Sequence, residues 1–181
     1  SLRQKQSTFT RQSGQLSFNG FPAKKAVTLR YSANYTVGNN AVASHQVFVL
    51  NSLYDPDLTG TGHQPMGFDQ WAAVYEKYNV RRVKVKATYM PSNSTAGEHG
   101  ALIFGVGRSN AGYSSTLGRA VESQNYSDWV TIGDIHNRNG KRTITQEIDI
   151  AKFIGVKDLV DDPDHGATVT TSPVKRIYGY L

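Results

Sequence analysis

Side chains able to do chemistry are few and scattered along this chain. His45, His63, His99, His136 and His165 stand far apart, with no H-x-H or H-E-x-x-H pair to grip a metal ion. Glu98-His99 is an acid beside an imidazole, but its Gly-rich, turn-like setting lacks the facing strands that a cupin-type metal centre needs. His63, in Gly62-His-Gln-Pro65, reads as a loop residue bonded to backbone rather than a ligand. Asp55 and Asp57 could offer oxygens to calcium, yet Asp-Pro-Asp is also an ordinary turn, and it is read as one. Glu147 and Asp149 could mimic a glycosidase pair. Two residues apart on a strand, beside Lys141 and Arg142, they read instead as a solvated or interface face. Gly105 and Gly107 in Phe104-Gly-Val-Gly-Arg108 lack the helix that a phosphate-binding loop requires. There is no cysteine for a disulfide or a thiolate site. The sequence predicts no enzyme, no metal site and no cofactor.

Charge carries more information. Of 20 Lys and Arg, six lie in residues 1–54 without a single acid: Arg3, Lys5, Arg11, Lys24, Lys25 and Arg30. The other 14 are matched by 14 Asp and Glu, so the whole net charge of +6 sits in the first third. Such asymmetry predicts a polyanionic partner met by one end of the chain. No run approaches the roughly 20 apolar residues needed to span a bilayer, and the basic segment has no amphipathic helix for a membrane surface.

The elements that must carry these residues are strands. A length of 181 residues suits one domain with a proper core. Residues 1–23 read as a flexible basic arm and 24–181 as the folded domain. Period-two alternation predicts strands at 26–36, 80–90 and 141–150, with further runs at 42–54, 101–108 and 129–132, and the start of another at 175–181. In 80–90 the apolar row is Val83, Val85, Ala87 and Tyr89; the polar row is Arg82, Lys84, Lys86 and Thr88. Phe68, Trp71, Ala72, Tyr75 and Tyr78 recur at helical spacing and predict one short helix over 68–78. Residues 109–126 read as a long polar loop. Many short strands and a single inserted helix predict an all-β sandwich of the jelly-roll kind.

Phe48-Val-Leu-Asn-Ser-Leu-Tyr-Asp-Pro-Asp57, Gly60-Thr-Gly-His-Gln-Pro-Met-Gly-Phe-Asp-Gln-Trp71 and Tyr75-Glu-Lys-Tyr78 resemble capsid proteins of circovirus-like, circular Rep-encoding single-stranded DNA viruses. Gly20-Phe-Pro-Ala-Lys-Lys-Ala-Val-Thr-Leu-Arg-Tyr31 and Ile148-Asp-Ile-Ala-Lys-Phe-Ile-Gly155 are similar to the same family. The resemblance implies an eight-stranded jelly roll, strands B to I, in sheets ordered BIDG and CHEF. It implies self-assembly into an icosahedral virion shell of about sixty copies around viral nucleic acid, single-stranded DNA in that family, with assembly in the host nucleus or cytoplasm. Arg3, Lys5, Arg11, Lys24, Lys25, Arg30, Arg82, Lys84 and Lys86 are the expected nucleic-acid contacts.

The chain departs from the family in lacking a dense Arg/Lys run at its start, which is expected to lie upstream. Mapped in order, the strands are B, C, D, E, F and the start of G, so H and I are expected to be missing. Alternatively, 129–132 and 168–171 join the sheets and complete a smaller sandwich. The competing functions are a carbohydrate-binding, lectin-like jelly roll and, behind it, a cupin-like metalloenzyme.

Overall fold

A strand exposed to the core on one side and to water on the other repeats every two residues, and this alternation organises the molecule. The computed structural model describes residues 20–36, 45–90, 100–110, 127–132, 141–159 and 162–181. Among the described residues lie β1 (Val47–Val49), α1 (Phe68–Ala72), β2 (Lys77–Tyr78), β3 (Arg82–Tyr89), β4 (Gly100–Gly107), β5 (Ser127–Ile132), β6 (Arg142–Asp149), α2 (Ile150–Ile154), β7 (Ala167–Thr168) and β8 (Tyr178–Tyr180). All the pairings are antiparallel: a four-stranded sheet in the order β1-β8-β4-β5, and two-stranded ladders β3-β6 and β2-β7. The class is all-β, as the alternation predicts.

In β3, Val83 and Val85 are half-buried and Ala87 is buried, while Arg82, Lys84, Lys86 and Thr88 are exposed. The partner strand answers in register, with Ile148 opposite Val83 and Ile144 opposite Ala87. Phe104 and Val106 of β4 are fully buried and share one core with Leu50, Ile144, Ile148, Ile150, Leu159 and Ile177. That core joins the four-stranded sheet to the β3–β6 ladder. Burial of side chains this size stabilises by roughly 1.5–3 kcal/mol each.

The last strand enters the middle of the sheet, and a buried amide secures it. Asn51 Oδ1 accepts the Ile177 N–H at 2.9 Å, and its Nδ2 donates to the carbonyls of Lys175 at 2.9 Å and His165 at 3.3 Å. Beyond it, Gly179 lies between Phe48 of β1 and Val106 of β4. A Cβ there would stand 2.8 Å from Leu50 Cδ2 and 3.2 Å from Phe104 Cε2, so any larger residue would force Leu50 to shift. The ladder continues to Leu181, whose N–H donates to the Gln46 carbonyl at 3.0 Å and whose carbonyl accepts from Gln46 at 2.8 Å.

Several sequence expectations change in three dimensions. Residues 26–36 are extended but form no strand, only an isolated bridge between Arg30 and Met66. Val27 and Tyr35 there are 43% and 38% exposed, because among the described residues no ladder runs alongside them. Of the run 42–54, residues 42–44 lie outside the described residues, and within 45–54 the strand is Val47–Val49, since Leu50 and Asn51 turn to meet Ile177. The helix expected over 68–78 stops at Ala72. Its backbone tightens where Val74 N–H bonds to the Trp71 carbonyl, and Lys77–Tyr78 then pair with Ala167–Thr168. The aromatic row still packs, Tyr78 edge-on to Phe68 with centroids 5.8 Å apart, but from two elements.

Strand 141–150 ends one residue early, at Asp149, whose carboxylate accepts the Lys152 N–H at 3.1 Å and caps α2. Gly155, at φ 78°, closes that helix. The mapping of 141–150 directly after β4 is overturned, because β5 pairs with β4 and β6 pairs with β3. Within the run expected at 175–181, Tyr178–Tyr180 form β8, which is paired on both edges. Of the flexible arm and the long polar loop, residues 1–19 and 111–126 lie outside the described residues.

Replacing Asn51 by Ala strands the Ile177 N–H in the core and removes the donor from two part-buried carbonyls. We expect stability to fall by roughly 2–4 kcal/mol from these unsatisfied groups, measured by urea denaturation. A change under about 0.5 kcal/mol would show that Asn51 does not hold β8.

Candidate nucleic-acid interface

Three of the expected contacts come from one strand face. Arg82, Lys84 and Lys86 project from the side of β3 that turns away from the core, about 6.8 Å apart by the rise of two residues. Facing them across the ladder in register are Asp149, Glu147 and Thr145, and next along the row Thr88 meets Thr143 with Oγ1 atoms 3.1 Å apart. Ile150 N–H donates to the Arg81 carbonyl at 3.0 Å, which sets the bonding parity of the ladder. The odd-numbered residues of β3 therefore bond to β6, and the amides and carbonyls of Arg82, Lys84, Lys86 and Thr88 point to the outer edge. Among the described residues no strand pairs there.

The face is not purely basic. Arg82 Nε lies 3.3 Å from Glu147 Oε1, with the two side chains 65% and 52% exposed. An ion pair this open to water contributes under about 1 kcal/mol. Asp149, opposite Arg82, is committed to capping α2. Among the described residues neither Lys84 nor Lys86 has an ion-pair partner.

Lys24, Lys25 and Arg30 are exposed on the extended segment before β1, and aromatic and carboxylate contacts hold that segment. Tyr31 stacks on His63 with ring centroids 4.7 Å apart. His63 Nδ1 lies 2.8 Å from the Gln64 carbonyl and Nε2 lies 2.9 Å from the Ser32 carbonyl. Carbonyls only accept, so both bonds form only when both ring nitrogens carry protons. The Gln64 carbonyl first, and then the Ser32 carbonyl, raise the His63 pKa above its ordinary value. The sequence expectation that His63 bonds to backbone is met, and the bond spans 31 residues to Ser32.

Asp57 supplies the second anchor. Its carboxylate is buried, accepting Tyr35 Oη–H at 2.8 Å, Gln46 Nε2–H at 3.0 Å and Thr59 N–H at 3.0 Å. Burial pushes this carboxyl up, but the bonds from Thr59, Tyr35 and Gln46 outweigh it and hold the group below its usual range. Burial of its hydroxyl, and the bond to Asp57, push Tyr35 well above the ordinary phenol range, so it stays a donor. Gly62 is required beside this pair, since a Cβ would lie 2.7 Å from Asp57 Cβ and 2.8 Å from Tyr31 Oη. Asp57 thus takes three protein donors, and the turn falls after Asp-Pro-Asp rather than within it, with Thr59 N–H bonded to the Asp57 carboxylate and Gly60 N–H to the Asp57 carbonyl. Among the described residues no group of His, Asp and Glu is arranged to hold a metal ion, and no helix is long and apolar enough to cross a membrane.

The structure therefore gathers Arg82, Lys84 and Lys86 on one face and sets Lys24, Lys25 and Arg30 on an anchored strap. Arg3, Lys5 and Arg11 lie outside the described residues. Sequence reasoning missed the Arg82–Glu147 pair, because only the register brings positions 65 residues apart together. It also missed Asp149 as a cap, although an Asp before a short apolar run closed by Gly155 carries that signal.

The native state favours protonated His63, so its contribution is complete below the ordinary histidine range and disappears as pH rises through the raised value. Amide exchange of residues 26–36 should therefore be slower at about pH 5 than at about pH 9, after correction for intrinsic rates, and His63→Gln should abolish the difference. Equal protection at both pH values would show that the imidazolium does not hold the strap.

Compared with protein-family models, with curated proteins and with solved structures, the chain matches none.

Proposed function

We propose that this chain is a viral coat protein, a jelly-roll subunit that assembles into a small icosahedral shell and holds the genome on its basic face. The observation that carries this is strand order. A jelly roll places its strands as C-H-E-F in one sheet and B-I-D-G in the other. The order β1-β8-β4-β5 is what C-H-E-F requires if β1 is C, β8 is H, β4 is E and β5 is F. The β3–β6 ladder then supplies the neighbours D and G, and residues 26–36 take the place of B. Position I, between B and D, coincides with the unpaired outer edge of β3 and has no counterpart among the described residues. This assignment places H within the chain and moves F and G to β5 and β6.

The charge pattern fits the same role. In this arrangement B and D share a sheet, so Arg30, Arg82, Lys84 and Lys86 turn to the same side, away from the core and toward the shell interior. Each cation that meets a phosphate releases counterions, giving binding that depends on salt and not on base sequence. The packaged polymer is single-stranded viral nucleic acid, and the unit of function is the closed homo-oligomer.

Purified protein should appear as uniform shells of about sixty copies by electron microscopy and light scattering. Monomers or dimers alone at high concentration would sink the proposal. Changing Arg82, Lys84 and Lys86 together to Gln should leave shells intact and lower their nucleic-acid content. The salt slope of binding should fall by roughly 0.7 for each phosphate that is no longer neutralised. Unchanged content in intact shells would remove this face from the interface.

A further inference from the structure

We propose that Glu147 is a resident competitor for phosphate on the β3–β6 face, withholding Arg82 from nucleic acid and leaving Lys84 and Lys86 to make the contacts. The inference rests on the coat-protein proposal above and assigns a regulator to that same surface.

Register places the competitor. Glu147 stands directly across from Lys84 and diagonal to both Arg82 and Lys86, so one carboxylate sits among all three cations. It turns to Arg82, where Oε1 meets Nε at 3.3 Å. The other acid in the row, Asp149, has an Oδ1 already accepting the Lys152 amide. Arg82 is thus paired inside the chain, whereas Lys84 and Lys86 have no ion-pair partner among the described residues.

A phosphate approaching Arg82 must displace Glu147 or accept its repulsion at close range. Both side chains are more than half exposed, so the pair is weak enough to open and strong enough to bias the outcome. The consequence is a face whose working cations number two while Glu147 holds Arg82 and three when that pair is open. Such an arrangement keeps the hold on the polymer reversible. A general electrostatic effect of one acid would act on the three cations alike; a competitor acts through Arg82.

Non-additivity is therefore the measurement. The full 181-residue chain, unassembled at low concentration, is titrated into a fluorescent single-stranded oligodeoxythymidine at several salt concentrations, and anisotropy gives affinity and slope. Glu147→Gln should tighten binding several-fold and steepen the salt slope by roughly 0.7, the share of one more neutralised phosphate. Arg82→Gln alone should weaken binding by about twofold or less, as expected for a cation already paired. Arg82→Gln in the Glu147→Gln background should cancel the gain. Glu76→Gln, which removes an exposed acid outside the ladder, should shift affinity less than Glu147→Gln does. Additive effects of Arg82→Gln in the two backgrounds, or equal effects of Glu76→Gln and Glu147→Gln, would overturn the proposal. Lys84→Gln with Lys86→Gln separates the two levels of failure. If that pair changes neither affinity nor slope, the face does not bind nucleic acid, and the functional proposal fails there.

Discussion

The hydrogen bonds of Asn51 hold the two ends of the fold together. A side chain in the first third of the chain meets the backbone of His165, Lys175 and Ile177 in the last, with no exposed surface of its own. Those bonds aim the final residues into the gap between β1 and β4. Without β8 the two strands have no ladder between them, and Phe104 and Val106 would be left without the strand beside them. The closure cost of bringing such distant residues together is met by apolar burial, but the position of the strand is set by polar geometry. A buried amide with both ends occupied tolerates one arrangement, whereas apolar packing tolerates many.

The β3–β6 ladder shows how one geometric rule sorts chemistry. Because side chains alternate, Val83, Val85 and Ala87 meet the core while Arg82, Lys84 and Lys86 meet water. The same parity sends the amides and carbonyls of these basic residues, unpaired among the described residues, to the outer edge. Cations and free backbone groups therefore lie along one border of the molecule, and lysine on an exposed edge also discourages promiscuous strand pairing. In the proposed coat role, this border belongs to the sheet facing the genome.

The strap at residues 26–36 is held by a buried charge. Asp57 is inside the molecule, and three donors keep its carboxylate ionised there. Tyr35 from the strap is one of those donors, so the strap helps satisfy the group that anchors it. His63 adds a second attachment that requires a positive ring. The basic residues Lys24, Lys25 and Arg30 thus hang from a short segment fixed near Asp57 and His63, and the strength of the second attachment varies with pH.

Whatever follows from local periodicity was legible in the residues before any fold was known. The alternation of 80–90 and 141–150 marks two strands, the first with the correct inward row, and Gly62-His-Gln-Pro65 marks a backbone-bonded histidine. Periodicity could not resolve residues 26–36, whose pattern is that of a strand but which lack a neighbouring ladder among the described residues. It also misread Phe68 to Tyr78, where an aromatic row at helical spacing is assembled from a helix and a separate strand that pack together. Three features emerge only when the chain is folded: β8 lies between β1 and β4, β5 rather than β6 pairs with β4, and Glu147 meets Arg82. Each is a pairing across dozens of residues, and no short-range pattern encodes which strand a strand will choose.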